Sequence, residues 1–447
     1  MQKKTLLLFA AFLLLGSFVY FVEIKGGEEK EKKEELAASL FKVKQQNIES
    51  VTLLRNGYDT LTFTNKDNNW QITQPVETEG EATPITASLS AFADATIKRR
   101  ITSLPEKLVE FGLNPPKAEV IIYTKYLEDR HVLIGNETPT RGDVFAAYKD
   151  SSTVFVVPSN VKTEAEKPLF DLRDKKIAHF ETADVNHVKL NSGSGVIELL
   201  KSGGNWIMVN PEGVPVDNSR VNSFLNSLKN YSATEFVDEF STDLGKYGLN
   251  EATISISLTL GDEKSTKEIM VGNPAEDEES FYCYESGRNP VFLIRESTKS
   301  SMEKEQFYFQ DKKLAKFEKE TITEIRFSGA YQLTLLKEDT IWYSHGDSSF
   351  SVRGSQMKKL FSSLKNLNAK NVVTYEPENE SNYGFDVPFL ELNLSEGDNP
   401  ISTVIIGDAA EKDRYIKNNR FPFVYTISVS QIEQITKWLD EQMGSTT

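Results

Sequence analysis

Cysteine is almost missing. Among 447 residues only Cys283 carries a thiol, which excludes an internal disulfide framework, a cysteine-based zinc site and a CxxC redox centre. Histidine is scarce too: His131, His179, His187 and His345 are too few and too scattered for a multi-histidine metal site. An excess of positive charge is lacking, since 51 Lys and Arg stand against 66 Asp and Glu, a net charge of −15. That balance argues against a nucleic-acid binder, whose affinity comes mostly from neutralising phosphate.

The motifs of common chemistries are absent as well. There is no GxGxxG or GxxxxGK[ST] phosphate loop, no GxSxG elbow, no HExxH helix, and no SxxK beside a KTG. His179 and His187, eight residues apart where a loop runs into a strand, read as solvated or partly buried side chains. Glu276-Asp277-Glu278-Glu279 lacks the alternating oxygen spacing of a calcium loop and reads as an exposed acidic turn. Cys283, inside the alternating run Phe281-Tyr282-Cys283-Tyr284, reads as a small half-buried residue with no marker of a neighbouring base. No residue is nominated as catalytic, cofactor-binding or metal-ligating, and no cofactor is expected.

What remains is ample for folding. Apolar residues make up 39% and charged residues 26%, and the length allows about three ordinary domains. After Lys3-Lys4, residues 5–22 form an uncharged run, TLLLFAAFLLLGSFVYFV. As a helix these residues span about 27 Å, near the thickness of a hydrocarbon core. The run ends on Phe18-Val19-Tyr20-Phe21-Val22-Glu23, without the small residues that signal cleavage requires, and no cysteine follows for lipid attachment. The sequence therefore predicts an uncleaved transmembrane anchor. Lys3 and Lys4 stay on the cytoplasmic side, which places everything beyond Gly26 outside that membrane. The mixed-charge stretch that follows, from Glu28 to Glu35, reads as a solvated stalk.

The rest of the chain repeats. Trp70, Trp206 and Trp342 are 136 residues apart, as are Phe111-Gly112-Leu113, Tyr247-Gly248-Leu249 and Tyr383-Gly384-Phe385. A strand-like ending recurs as Ile134-Gly135-Asn136, Val271-Gly272-Asn273 and Ile406-Gly407-Asp408. Three copies of 136 fill 408 of the 447 residues and leave 39 for anchor and stalk. The apolar sets Ile85/Leu89/Phe92, Val221/Leu225/Leu228 and Met357/Phe361/Leu364 share the spacing of an amphipathic helix face. Thr83, Ser219 and Ser355 stand two residues before each set and are expected to be its N-caps, with Pro84 at the first helical position of the first copy.

Alternation such as Ile254-Ser255-Ile256-Ser257-Leu258-Thr259-Leu260 marks strands in the remainder. Each unit is thus α+β: three strands, a helix, about four more strands and a final helix, the last clearest in Ser430–Leu439. The expected organisation is an N-terminal anchor over residues 1–27, a stalk over 28–38, and repeat units over 39–173, 174–310 and 311–447. The boundaries fall in polar stretches near Arg173 and Gln310. The three tryptophans and Gly112, Gly248 and Gly384 occur once in every copy, so they are read as core anchors and positive-φ turns, not as a ligand platform.

This pattern of a strand pair, Gly204-Asn205-Trp206 leading to Pro211, a helix, an aromatic-Gly-Leu turn and an Ile/Val-Gly-Asn strand end resembles the bacterial domain-of-unknown-function family numbered 4340, in three tandem copies. The third copy departs from it, because Trp342 is followed by Tyr343-Ser344-His345-Gly346-Asp347 without the proline present at Pro75 and Pro211. The resemblance implies a membrane-anchored extracytoplasmic protein beside an ABC-type transporter related to gliding-motility export systems, and it supplies no catalytic residues. The expected function is therefore a non-enzymatic interaction protein accessory to such a transporter, with the membrane and transporter or envelope subunits as partners and no nucleic acid. The alternative is an envelope hydrolase using an Asp/Glu pair in a groove between units.

Overall fold

The computed structural model describes residues 36–102, 105–125, 129–261, 265–345 and 347–444. The expected anchor at residues 5–22 and the stalk up to residue 35 lie outside them. Among the described residues no helix is long and apolar enough to cross a membrane.

Three units follow one plan. In unit 1, strands β1 (Ile48–Arg55), β2 (Leu61–Lys66), β3 (Asn69–Gln74) and β4 (Thr78–Glu79) lead into helix α1 (Ala82–Ala93). Then come β5 (Arg99–Thr102), β6 (Ala118–Thr124), β7 (Arg130–Glu137), β8 (Asp143–Tyr148) and β9 (Thr153–Pro158), with helices α2 (Asn160–Ala165) and α3 (Leu169–Leu172). Unit 2 comprises β10 (Val185–Ser192), β11 (Gly195–Ser202), β12 (Asn205–Asn210) and α4 (Asn218–Asn230). It continues through β13 (Glu235–Asp238), β14 (Ile254–Leu260), β15 (Ser265–Pro274), β16 (Ser280–Glu285) and β17 (Val291–Arg295) to α5 (Glu296–Met302) and α6 (Gln306–Phe309). Unit 3 repeats this with β18 (Glu324–Gly329), β19 (Leu333–Glu338), β20 (Ile341–Ser344), β21 (Asp347–Val352) and α7 (Gly354–Lys365). It ends with β22 (Asn371–Thr374), β23 (Leu390–Glu396), β24 (Asn399–Ala410), β25 (Asp413–Asn418), β26 (Val424–Ser428) and α8 (Val429–Gly444).

Each unit is one antiparallel sheet, with strand order β4-β3-β2-β1-β6-β7-β8-β9-β5 in unit 1 and the matching orders in the others. The α+β expectation holds, and the structure adds strands that periodicity does not reveal. The short strand after each central helix, β5, β13 or β22, pairs with the last long strand at the far edge of the sheet. Four residues are too few for alternation to register. Among the described residues the middle sheet has eight strands and its neighbours nine, because no strand pairs with the outer edge of β12. The segment after β12 carries Pro211 and Pro215, which have no N–H to donate, and Val209 makes only an isolated bridge to Glu212.

The central helices bury the expected faces: Ile85, Leu89 and Phe92 in α1, Val221, Leu225 and Leu228 in α4, and Met357, Phe361 and Leu364 in α7. The expected caps are corrected. The N-caps are Glu81, Asp217 and Arg353, so Thr83, Ser219 and Ser355 lie one position inside the first helical residue, and Pro84 is third in its helix. Only Asp217 caps through its side chain, accepting hydrogen bonds from the backbone N–H groups of Ser219 and Arg220. A carboxylate two residues upstream reaches those amides, and Ser219 donates its own hydroxyl to Asp217.

The single closing helix appears only in unit 3, as α8. In unit 1 Pro168 divides it into α2 and α3, and in unit 2 extended backbone at Glu303 and Glu305 divides it into α5 and α6. The i, i+3 spacing of Ile48/Val51 and Val185/Val188, foreign to a strand, is absorbed by β-bulges at Ile48/Ser50 and Val185/His187.

Unit 1 has its own core, whereas the cores of units 2 and 3 form one contiguous cluster running from Ile177 to Leu439. On the opposite sheet face, smaller clusters gather under the aromatic-Gly turns, around Leu113 and Leu133 in unit 1 and around Tyr247 and Leu249 in unit 2.

Candidate functional site

The repeated residues serve packing. Trp206 and Trp342 are buried, while Trp70 is half-buried against Phe63; all three occupy the second position of the matching strand. Gly112, Gly248 and Gly384 adopt φ of 68°, 70° and 74°. Cys283 is not half-buried but wholly enclosed, in the inward row of β16, and burial raises its thiol pKa far from nucleophilic use. Glu276 to Glu279 form an exposed turn in which Asp277 accepts from the Glu279 and Ser280 amides. His187 pairs with Glu198 across β10 and β11 at 2.7 Å.

The polar boundary near Arg173 is buried at the arginine itself. α3 ends at Leu172, the chain turns extended, and Arg173 points into unit 2 with only 2% of its surface exposed. Its guanidinium donates to both Glu239 oxygens, at 2.5 and 3.1 Å, and lies 3.5 Å from the ring centre of Phe236. Glu239 and Phe236 belong to β13 and the residue after it, so one unit's last side chain is clamped by the next unit's edge strand. The equivalent contact at the second boundary is uncharged. There buried Gln310 donates to the Tyr425 hydroxyl at 2.6 Å and accepts from the Tyr375 hydroxyl at 3.1 Å.

Around the first boundary opens a cleft of about 340 Å³, formed by the β3–β4 region of unit 1, the connector, and the edge of unit 2 at Glu239, Lys267 and the β16–β17 turn. Five carboxylates line it (Glu77, Glu79, Asp174, Glu239, Glu285) against three cations, Arg173, Lys267 and Arg288. Asp174 is the hub. Its backbone N–H donates to the Glu79 carbonyl at 2.9 Å, His179 Nε2 lies 2.6 Å from its Oδ2, and Arg288 Nη2 approaches to 3.7 Å. Burial alone would raise the Asp174 pKa; the hydrogen bond and charge of His179, the Lys176 amide and Arg288 outweigh it and hold the carboxyl below its ordinary range.

Arg288 also donates to the carbonyls of Lys176 and Asp174, and burial lowers its pKa against the pull of Asp174. Glu285 is fully buried. Its Oε1 accepts from the Gly287 amide and lies 3.4 Å from Lys267 Nζ, while its Oε2 has no hydrogen-bond partner. Ligand atoms of Glu79, Asp174 and His179 all lie within 4.8 Å of one another, a set able to hold a cation.

None of these residues stands out in the sequence, where His179 reads as solvated or partly buried and Arg173 as part of a polar boundary stretch. The signal that finds them is difference between copies: Arg173, Glu239, Glu79 and His179 align with Gln310, Tyr375, Pro215 and Lys316.

No curated protein and no solved structure matches the chain. One family model matches three times, over residues 70–207, 206–344 and 342–444, each match beginning at a strand tryptophan and so out of phase with the sheets. With nearly the whole described chain covered by these three copies, the protein belongs to the family described as domain of unknown function (DUF4340).

Proposed function

We propose that the chain is a membrane-anchored, extracytoplasmic, non-enzymatic interaction protein, accessory to an ABC-type transport complex of the gliding or export-related kind. The observation that carries this reading is an apolar outer face on unit 2, echoed in unit 3 by exposed Ile341 and half-buried Leu336 and Tyr343 but absent from unit 1. Val196 and Leu200 of β11 and Ile207 and Val209 of β12 are all exposed, with Leu200 directly opposite Ile207. The matching face of unit 1 carries Thr62, Thr64, Gln71 and Thr73, and its hydroxyls bond to one another across strands, as in Thr52–Thr62 and Ser50–Thr64 at 3.0 Å. An exposed apolar patch on one copy, where a sibling is polar, is how a binding surface is set apart from scaffold. The transporter as partner, and the anchor, come from the family resemblance and from residues 5–22.

A photocrosslinking residue at Leu200 or Ile207 of the full-length protein, in native membranes, is expected to give adducts with a transporter permease or ATPase subunit; the same residue at Thr64 or Gln71 is not. Adducts equal at all four positions, or none with any transporter or envelope protein, would overturn the reading.

One observation favours the hydrolase alternative: oxygens of Glu79 and Asp174 come within 4.8 Å in a groove between units. Asp174, held ionised, suits a base or nucleophile and not a general acid. Turnover of envelope glycans by the purified protein that disappears in Asp174→Asn would support it; equal release by both proteins would dismiss it.

A further inference from the structure

We infer that Glu79, Asp174 and His179 form a binding site for one divalent transition-metal ion, with Zn²⁺ as the best-fitting case, which ties unit 1 to unit 2. His179 Nε2 lies 2.6 Å from Asp174 and 3.9 Å from Glu79. Tetrahedral zinc with bonds of about 2.0–2.2 Å sets its ligand atoms about 3.3–3.5 Å apart. Two of the gaps straddle that spacing, so a metal in place of the hydrogen between His179 and Asp174 needs one to open and the other to close by well under an ångström, while Glu79 and Asp174, within 4.8 Å of each other, close by at most about 1.5 Å. One imidazole with two carboxylates suits zinc better than calcium or magnesium, which take all-oxygen shells. Three protein ligands leave a fourth position open toward the cleft.

Two further observations point the same way. The cleft holds more carboxylates than cations, and one carboxylate oxygen, Oε2 of fully buried Glu285, is left without a partner in its wall. Burying an unsatisfied carboxylate oxygen is costly, and a nearby dication lowers that cost. The ligand set is also unique to this boundary, since Pro215 and Lys316 replace Glu79 and His179 at the next one. Arg288 opposes a cation here, but its Nη1 is turned to the Lys176 carbonyl and its approach to the Asp174 carboxylate is no closer than 3.7 Å.

The test uses the full-length protein, stripped with EDTA and titrated calorimetrically with ZnCl₂, beside Glu79→Gln, His179→Ala and the control His187→Ala. One Zn²⁺ per chain is expected, with affinity lower by about tenfold or more in Glu79→Gln and in His179→Ala and unchanged in His187→Ala. Zinc should also raise the melting temperature of the unmodified protein but not of His179→Ala. Failure of the unmodified protein to bind zinc at micromolar concentration overturns the inference, and so does equal binding by both ligand variants, or equal loss in His187→Ala.

Discussion

Arg173 and Glu239, 66 residues apart in the chain, meet as a two-pronged ion pair that carries the end of unit 1 into the edge strand of unit 2. Arg173 is buried and Glu239 keeps 29% of its side chain exposed, so removing the carboxylate strands an enclosed cation. Glu239→Ala is expected to cost about 3 kcal/mol, the low end for a broken buried pair. In calorimetry the loss should appear as a unit 1 transition separating from that of units 2 and 3, which share a core. Transplanting the second boundary, as Arg173→Gln with Glu239→Tyr and Phe292→Tyr, should recover most of it. A single unshifted transition in Glu239→Ala would show that the pair does not hold the boundary.

The second boundary should be sensitive to alkali. Burial, with a smaller contribution from Glu305, pushes the Tyr375 pKa up to about 12, and burial raises Tyr425 as well. A phenol with a raised folded-state pKa stabilises the fold fully below its unfolded value of about 10 and loses that contribution as pH rises from there through the folded value. Urea midpoints should therefore fall more steeply between about pH 10 and 12 in the unmodified protein than in Tyr375→Phe. Parallel pH profiles would count against this.

The two most regular sequence signatures turn out to be halves of one contact. A Cβ on Gly272 would overlap the carbonyl oxygen of Tyr247, and Gly135 and Gly407 stand in the same relation to Phe111 and Tyr383. Gly272→Ala should destabilise unit 2 by about 1–3 kcal/mol in denaturant titration. Gly354→Ala, where nothing lies within 4 Å and the residue is helical, should stabilise unit 3 by up to about 1 kcal/mol. Equal effects from the two changes would refute the close-approach explanation.

Asp217 is the only side-chain cap among the three central helices. Burial opposes ionisation of its carboxyl, yet hydrogen bonds from Ser219 and Arg220 bring its pKa below the ordinary range. Asp217→Ala should cost about 1 kcal/mol, with Asp217→Asn near the original stability at neutral pH. The cap's contribution is present above the unfolded pKa and fades as pH falls through the lower folded one, so the unmodified protein and Asp217→Ala should converge in acid. A constant difference down to about pH 2 would show that the carboxylate is not the cause.

Periodicity by itself determined the threefold duplication, the buried helix faces around Leu89, Leu225 and Phe361, and the long strands, because these follow from spacings within one element. It misplaced the caps by two residues, since a cap is chosen by which side chain reaches the free amides. It also passed over strands too short to alternate. The boundary cleft was decided only by tertiary structure. Arg173 with Glu239, and Glu79 with Asp174 and His179, are joined by the way one sheet's edge meets the next chain segment, and charge pairs carry no fixed spacing along a sequence. Burial, which turns a polar boundary residue into a clamp, is a property of neighbours that only folding brings together.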